Sequence, residues 1–239
     1  VTANNLFIDN QNFSSTNVTS SFTGITSIAG PTATGAAGKI MVTANNANII
    51  NNGTITSQNQ GSNNAGQVVV TAHGALRIEN AAITTIAAVG DGGPITLITP
   101  VLTLANGQIT TSAHKLGNGG SIEISGRYLI MDTGFIQANT AQGAKGGNIN
   151  IREFGVIASN NDLAVGGQER ELFVANSGHN VIQAAAPEGI SGNISLTVPD
   201  AAAAADLVAV AYRNLDTSTV SNPCTGRNIC RTKVLIINK

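Results

Sequence analysis

A five-residue phrase that starts with glycine recurs along the chain at nearly constant spacing. In each copy a β-branched residue stands two positions after the glycine, and an aliphatic residue stands two positions further on. The copies start at Gly38, Gly66, Gly93, Gly120, Gly147 and Gly192, which are 28, 27, 27, 27 and 45 residues apart. Because self-similarity at a fixed period is the signature of repeat architectures, the chain is expected to fold as a stack of similar coils.

Each repeat contains three short segments in which apolar residues alternate with polar ones. The glycine phrase is the first segment, and an apolar pair such as Leu102 and Leu104 forms the second. An isoleucine marks the third segment of four repeats, at Ile55, Ile83, Ile109 and Ile136. Alternation with a period of two predicts strands with one buried face, and a repeat of about 27 residues leaves no room for a crossover helix. The sequence therefore predicts an all-β fold, a right-handed parallel β-helix with three strands in each coil.

The first coil of this β-helix is predicted to be irregular. Residues 1–5 match residues 42–46 at an offset of 41, so residues 1–37 are expected to carry an insertion within 10–35. The chain then starts partway round a coil. Because an open strand edge invites pairing with another chain, this start suggests a fragment of a longer protein.

The later boundaries follow from the same spacing. Regular coils are predicted over 38–157, and the long last interval predicts an insertion at about 158–189, before a last strand at 192–198. The β-helix as a whole is expected to span 1–199. An insertion into a solenoid usually becomes a loop on one face, which is often the binding face.

The pattern changes at the C-terminal end, where a cap is predicted. Pro199 ends the last strand, and Asp200 is a suitable N-cap for a short α-helix over the alanine-rich residues 201–214. Residues 200–239 are therefore expected to form a cap and tail that cover the last coil.

The tail contains both cysteines of the chain, Cys224 and Cys230. In an extracellular protein they are expected to form a small-loop disulfide, whereas in a reducing compartment they would be two free thiols.

Asparagines occupy equivalent turn positions of successive coils. Asn52, Asn80 and Asn106 each stand three residues before a third-strand isoleucine, and Thr133 takes this place in the next repeat. Side-chain amides stacked at one corner can bond from coil to coil, so these asparagines are predicted to form a structural ladder. Ligand binding is the alternative role.

Two groups of charged residues are predicted to form an interaction surface. The loops after the third strands vary in length and should lie along one edge, and they contain Asp91, His114, Lys115 and Lys145. The insertion contributes the densest charge cluster of the chain, which includes Glu169, Arg170 and Glu171.

Composition and spacing exclude some classes of function and argue against others. The net charge is −1, so the chain has no basic field to attract nucleic acid, and no apolar run approaches the length of about 18 residues that spans a membrane. Polysaccharide-cleaving enzymes that share the fold need clustered carboxylates, but Glu123 and Glu153 are 30 residues apart and out of register. His73, His114 and His179 have no common offset from the repeat, so no metal site and no cofactor are expected.

The repeats resemble those of filamentous-haemagglutinin-type exoproteins of two-partner secretion systems, especially the large cyanobacterial ones. The likeness lies in the glycine phrases, the asparagine-rich turns and the strand ends Ile83-Thr-Thr85 and Ile109-Thr-Thr111. Residues 189–200 are similar to the closing stretch of that family's repeat region, which a cysteine-bearing tail often follows. The family's N-terminal secretion domain has no counterpart in this sequence.

This resemblance implies a secreted or cell-surface location and an adhesive or matrix role. The expected partners are an extracellular glycan or protein, or further copies of the chain. Four alternatives remain at this stage: a solvated insertion without a partner, a pectate-lyase-like enzyme, a fibre-forming protein, and an ice-binding protein with threonines on a flat face.

Overall fold

The protein forms a parallel β-solenoid. The computed structural model describes residues 1–11, 23–115, 117–140, 143–152, 155–197 and 212–213. The predicted all-β parallel architecture, with coils of about 27 residues, is confirmed. The strands, in chain order, are β1 (Thr2–Asp9), β2 (Gly24–Ala29), β3 (Ile40–Ile50), β4 (Thr54–Asn59), β5 (Val68–Ala72), β6 (Ala75–Glu79), β7 (Ala82–Ala87), β8 (Ile95–Ala105), β9 (Gln108–Ala113), β10 (Ile122–Asp132), β11 (Phe135–Gln137), β12 (Ile149–Arg152), β13 (Gly155–Ala158), β14 (Leu163–Val165), β15 (Asn180–Gln183), β16 (Ile194–Thr197) and β17 (Tyr212–Arg213).

Two parallel sheets wind along the solenoid. The third strands of the coils build the second sheet, whose spatial order is β17-β14-β15-β11-β9-β7-β4-β2. The first and middle strands both belong to the first sheet. In three coils they form one continuous strand of eleven residues, namely β3, β8 and β10. In the coil between β3 and β8, His73 and Gly74 separate the first strand, β5, from the middle strand, β6. Each coil therefore has the three predicted segments, but two of them share a sheet.

Aliphatic side chains at equivalent positions stack into columns inside the solenoid. Ile40, Val68, Ile95, Ile122 and Ile149 are successive partners in the first sheet, and none is more than 6% exposed. The third-strand isoleucines form a second column. Because burying one such side chain contributes roughly 1.5–3 kcal/mol, these columns are the main source of stability.

The first coil has the predicted irregularity. Thr2 lies opposite Thr43 and Gly24 lies opposite Thr54, which are offsets of 41 and 30 residues. Most of the extra residues of this coil therefore enter between β1 and β2, within the predicted range.

The second insertion differs from a simple loop because it contains two strands of the second sheet. At the regular spacing of 27 residues, Leu163 would follow Ile136 in the third-strand column. Instead Ile182 lies opposite Ile136, and Leu163 lies one strand further out, opposite Asn180. Strand β15 is thus inserted between β11 and β14. Leu163 and Ile182 are both fully buried. This strand order therefore buries the apolar side chains of two strands rather than one.

The C-terminal cap lies almost entirely outside the described residues, and so do Cys224 and Cys230. Tyr212 and Arg213 are the described part of the predicted helix at 201–214, and they form a strand beside β14. Among the residues that the structure describes, no helix has the length and apolar character needed to cross a membrane.

The glycines that start the repeats are required by close contact between coils. A Cβ atom on Gly120 would lie 2.2 Å from the carbonyl oxygen of Gly93, and one on Gly147 would lie 2.0 Å from the carbonyl oxygen of Gly120. The spacing of parallel strands, about 4.8 Å, leaves no room for a side chain at this corner.

The substitution Gly120→Ala is expected to destabilise the protein by about 2 kcal/mol or more, because the backbone of two coils must move apart. Gly35→Ala is the matched control, since a Cβ atom there has nothing within 4 Å. Chemical denaturation of both variants measures the difference. Equal midpoints for the two variants would contradict this account of the corner.

Candidate functional site

The asparagines of the predicted ladder all have left-handed backbone conformations. The φ angles of Asn52, Asn80 and Asn106 are 65°, 47° and 52°, and Thr133 follows them at 57°. Asparagine tolerates positive φ better than other residues with a side chain, whereas a β-branched residue is strained there. The corner therefore selects asparagine by backbone geometry as well as by its amide.

Side-chain bonds connect part of this corner and end at the insertion. The amide nitrogen of Asn106 donates to the amide oxygen of Asn80 at 2.5 Å. The oxygen of Asn106 accepts from the backbone N–H of Asn176 at 2.9 Å, and the hydroxyl of Thr133 accepts from Gly178 at the same distance. Residues 176–178 of the insertion are thus docked onto the asparagine corner.

A second ladder runs along the opposite edge, where the sequence placed part of the interaction surface. The backbone N–H of Asp91 donates to the side chain of Asn64, that of Asn118 donates to Asp91, and that of Lys145 donates to Asn118, at 2.9, 2.8 and 3.1 Å. These four residues are 27 positions apart. Asp91 is therefore engaged between coils, and its carboxylate has a structural role.

The other predicted surface residues remain accessible. His114, Lys115 and the side chain of Lys145 are exposed near this ladder, and Glu169 and Arg170 are exposed on the insertion. The two groups lie on different parts of the solenoid, because the insertion covers the outer face of the second sheet. There Gln137 of β11 donates to the carbonyl of Glu171, and Gln183 of β15 donates to that of Glu169.

Glu171 is half-buried and belongs to a cluster that holds the insertion together. One nitrogen of His179 lies 2.7 Å from a carboxylate oxygen of Glu171, and the other lies 3.1 Å from Asp162. The ring of Phe135 packs edge-on against that of Phe173, with centroids 5.2 Å apart, and also against His179. The insertion is therefore fixed by an ionic cluster and an aromatic contact.

The environment of His179 raises its pKa. Partial burial on its own lowers the pKa, but hydrogen bonds to Asp162 and Glu171, together with their charges, outweigh it. The protonated ring donates to both carboxylates, so the cluster is strongest when His179 is charged.

The asparagine corner and the insertion line two adjoining cavities that are open to solvent. The larger one, here called the amide groove, has a volume of about 650 Å³. Its walls include Asn51, Asn52, Asn80, Asn106 and Gln108, with Phe173 of the insertion at one end. The smaller one, here called the corner pocket, has a volume of about 410 Å³ and shares Asn80 and Asn106. Glu79 and Asp132 bring negative charge to its wall.

Sequence reasoning gave the asparagines a structural role and missed both cavities and the cluster around His179. Phe173 stands in a non-periodic segment, so no spacing marks it as a wall of the groove. The second ladder was detectable, because Asn64, Asp91, Asn118 and Lys145 repeat at the coil period.

Within the described ranges, no group of three or more His, Cys, Asp or Glu side chains is arranged to hold a metal ion. No family model, curated protein or solved structure matches this chain.

Substitution of Asn80 tests why asparagine is used at the corner. Asn80→Ala is expected to cost about 2 kcal/mol, since it loses the ladder bond and disfavours the left-handed conformation. Asn80→Gly loses the bond but accepts the φ angle, so about 1 kcal/mol is expected. Denaturant midpoints measure both values. A glycine variant as unstable as the alanine variant would show that the backbone angle is unimportant.

The contribution of His179 to stability is expected to depend on pH. Because its pKa is raised on folding, the contribution is complete below the unfolded pKa of about 6.5 and is lost as the pH rises through the folded pKa. His179→Gln should therefore destabilise the protein more at pH 5.5 than at pH 9, as measured by denaturant midpoints. His114→Gln is the control, and the same loss at both pH values in His179→Gln would contradict the expectation.

Proposed function

We propose that the chain is a non-catalytic, extracellular adhesive segment of the exoprotein class that its repeats resemble. The observation that carries this proposal is the pair of cavities along the asparagine corner. They lie on the outside of a solenoid whose interior is filled by aliphatic columns, and the insertion forms their end wall. A rigid stack that presents a polar groove suits binding to a surface, since little ordering is needed when a partner binds.

The chemistry of the outer surface supports the same proposal. Its polar side chains are mainly amides and hydroxyls, which donate and accept hydrogen bonds without charge. Exposed charges are scattered, as with Lys115 at one edge and Arg170 on the insertion. An adhesive partner would be held by many neutral hydrogen bonds, so binding should depend little on salt.

A polysaccharide-degrading enzyme is the second candidate, and one observation favours it. Asp162, His179 and Glu171 form a half-buried cluster of the kind from which acid–base catalysts are built. Both ring nitrogens of His179 already contact carboxylates, and the cluster joins the start of β14 to the start of β15. We therefore assign the cluster a structural role.

An adhesion assay separates the two candidates. Beads coated with the purified chain are expected to attach to cells or to extracellular matrix, while beads coated with the heat-denatured chain should not. Attachment should persist at 0.5 M salt, where ionic contacts at exposed groups are screened. Attachment that disappears with salt, or no attachment at all, would contradict the proposal.

The enzymatic candidate is tested on the same preparation. The chain is incubated with polygalacturonate and with neutral polysaccharides, and ultraviolet absorbance and reducing ends are followed. No release of product is expected. Release that is lost in His179→Gln would assign catalysis to the cluster and overturn the non-catalytic proposal.

A further inference from the structure

We propose that the amide groove binds a neutral oligosaccharide chain, laid along the asparagine corner. This inference rests on the proposed adhesive function and names the ligand of its surface. It is carried by the uncharged lining of the groove, by amides that have no partner of their own, and by the aromatic wall.

The lining of the groove is polar and entirely uncharged. Its twelve residues include seven side-chain amides and no acidic, basic or histidine side chain. An amide offers both a donor and an acceptor, which matches neighbouring sugar hydroxyls. Acidic groups lie beside this lining: the carboxylate of Asp9 accepts from the wall residue Asn51 at 2.9 Å, and Asp132 lines the adjoining corner pocket, so both repel an acidic chain. Glu79 of that pocket is paired with Arg77. The ligand class that fits is therefore a neutral polyhydroxylated one.

Two polar side chains in the groove are not used by the fold. The side-chain amides of Asn52 and Gln108 make no hydrogen bond with any residue that the structure describes. By contrast, both amide atoms of Asn106 are occupied in the ladder and the docking of the insertion. Asn52 is exposed and Gln108 is half-buried, so their donors and acceptors are open to a ligand that enters the groove.

Phe173 supplies an apolar wall at one end. Its ring is half-buried and is held edge-on against Phe135, and the segment that carries it is anchored where Asn176 bonds to Asn106. An aromatic face fixed beside hydrogen-bonding groups is the arrangement that holds a ring with one apolar face. A sugar ring has such a face, formed by its C–H groups.

The shape of the groove favours a chain over a single sugar. Its volume of about 650 Å³ is within the range of ligand sites, and it opens into the corner pocket through the shared Asn80 and Asn106. From Asn52 to Asn106 the corner rises by two coils, or about 10 Å. A linear chain of a few sugar rings would therefore contact equivalent amides of successive coils.

Calorimetric titration of the full chain tests the proposal with four soluble probes. The neutral probes are maltohexaose, cellohexaose and chitohexaose, and hexagalacturonate is the acidic one. At least one neutral probe is expected to bind, and hexagalacturonate is expected to bind at least tenfold more weakly. No binding of the neutral probes, or equal binding of the acidic one, would overturn the inference.

Three variants locate the binding. Asn52→Gly and Gln108→Ala should each lower the affinity for the neutral probe about three- to tenfold, which is the effect of one lost hydrogen bond. The denaturant midpoints of both variants should be unchanged. Gln58→Ala is the matched control. Gln58 is half-buried on the outer face of β4 and lies outside the groove. The variant should therefore bind the neutral probe with the affinity of the wild type. Unchanged binding in the first two variants, or an equal loss in the control, would place the ligand elsewhere and overturn the inference.

The bead assay distinguishes this inference from the proposed function. Beads that attach while all neutral probes fail to bind would overturn the groove's ligand and leave adhesion in place. Beads that do not attach while a neutral probe binds at the groove would overturn the adhesive role and leave the ligand in place.

Discussion

Parallel pairing between equivalent residues of successive coils is the interaction on which the rest of this structure depends. It sets the distance between coils, and that distance forces glycine at the corner where Gly93, Gly120 and Gly147 meet. It also places each aliphatic side chain on the one below, so that a period in the sequence becomes a column in the core. A coil cannot bury its apolar face alone, and stability is therefore shared between neighbours.

The regular part of the fold was predictable because one short-range rule is repeated. Alternation with a period of two identifies strands, and the 27-residue spacing fixes which residues pair, as with Ile95 and Ile122. The second insertion was not predictable on the same grounds. Leu163 and Ile182 both suit the place beside Ile136, and periodicity favours the wrong one. The choice depends on how much apolar surface the two strands cover together, which local patterns do not encode.

In the candidate site, too, the features that follow the repeat were predictable and those that depend on the insertion were not. The asparagine positions were predictable from spacing, but their left-handed backbone was not inferred, although Asn-Gly at 52–53 and 106–107 is a common signal for it. The amide groove depends on Phe173 and Ala175, which reach the corner only through the docking of a non-periodic segment. The pairing of His179 with Asp162 and Glu171 likewise requires the strand exchange.

The exchanged strands have a consequence for the order of assembly. A solenoid can grow from its N-terminal end, each coil closing on the last as the chain emerges. Here the partner of Gln137 in the second sheet is Gln183, which emerges 46 residues later. Strand β14 is synthesised first but has no final neighbour until β15 takes its place. In the second sheet, growth in chain order therefore halts at β11, whose open edge must wait for β15. In the first sheet, β12 and β13 can already pair with β10.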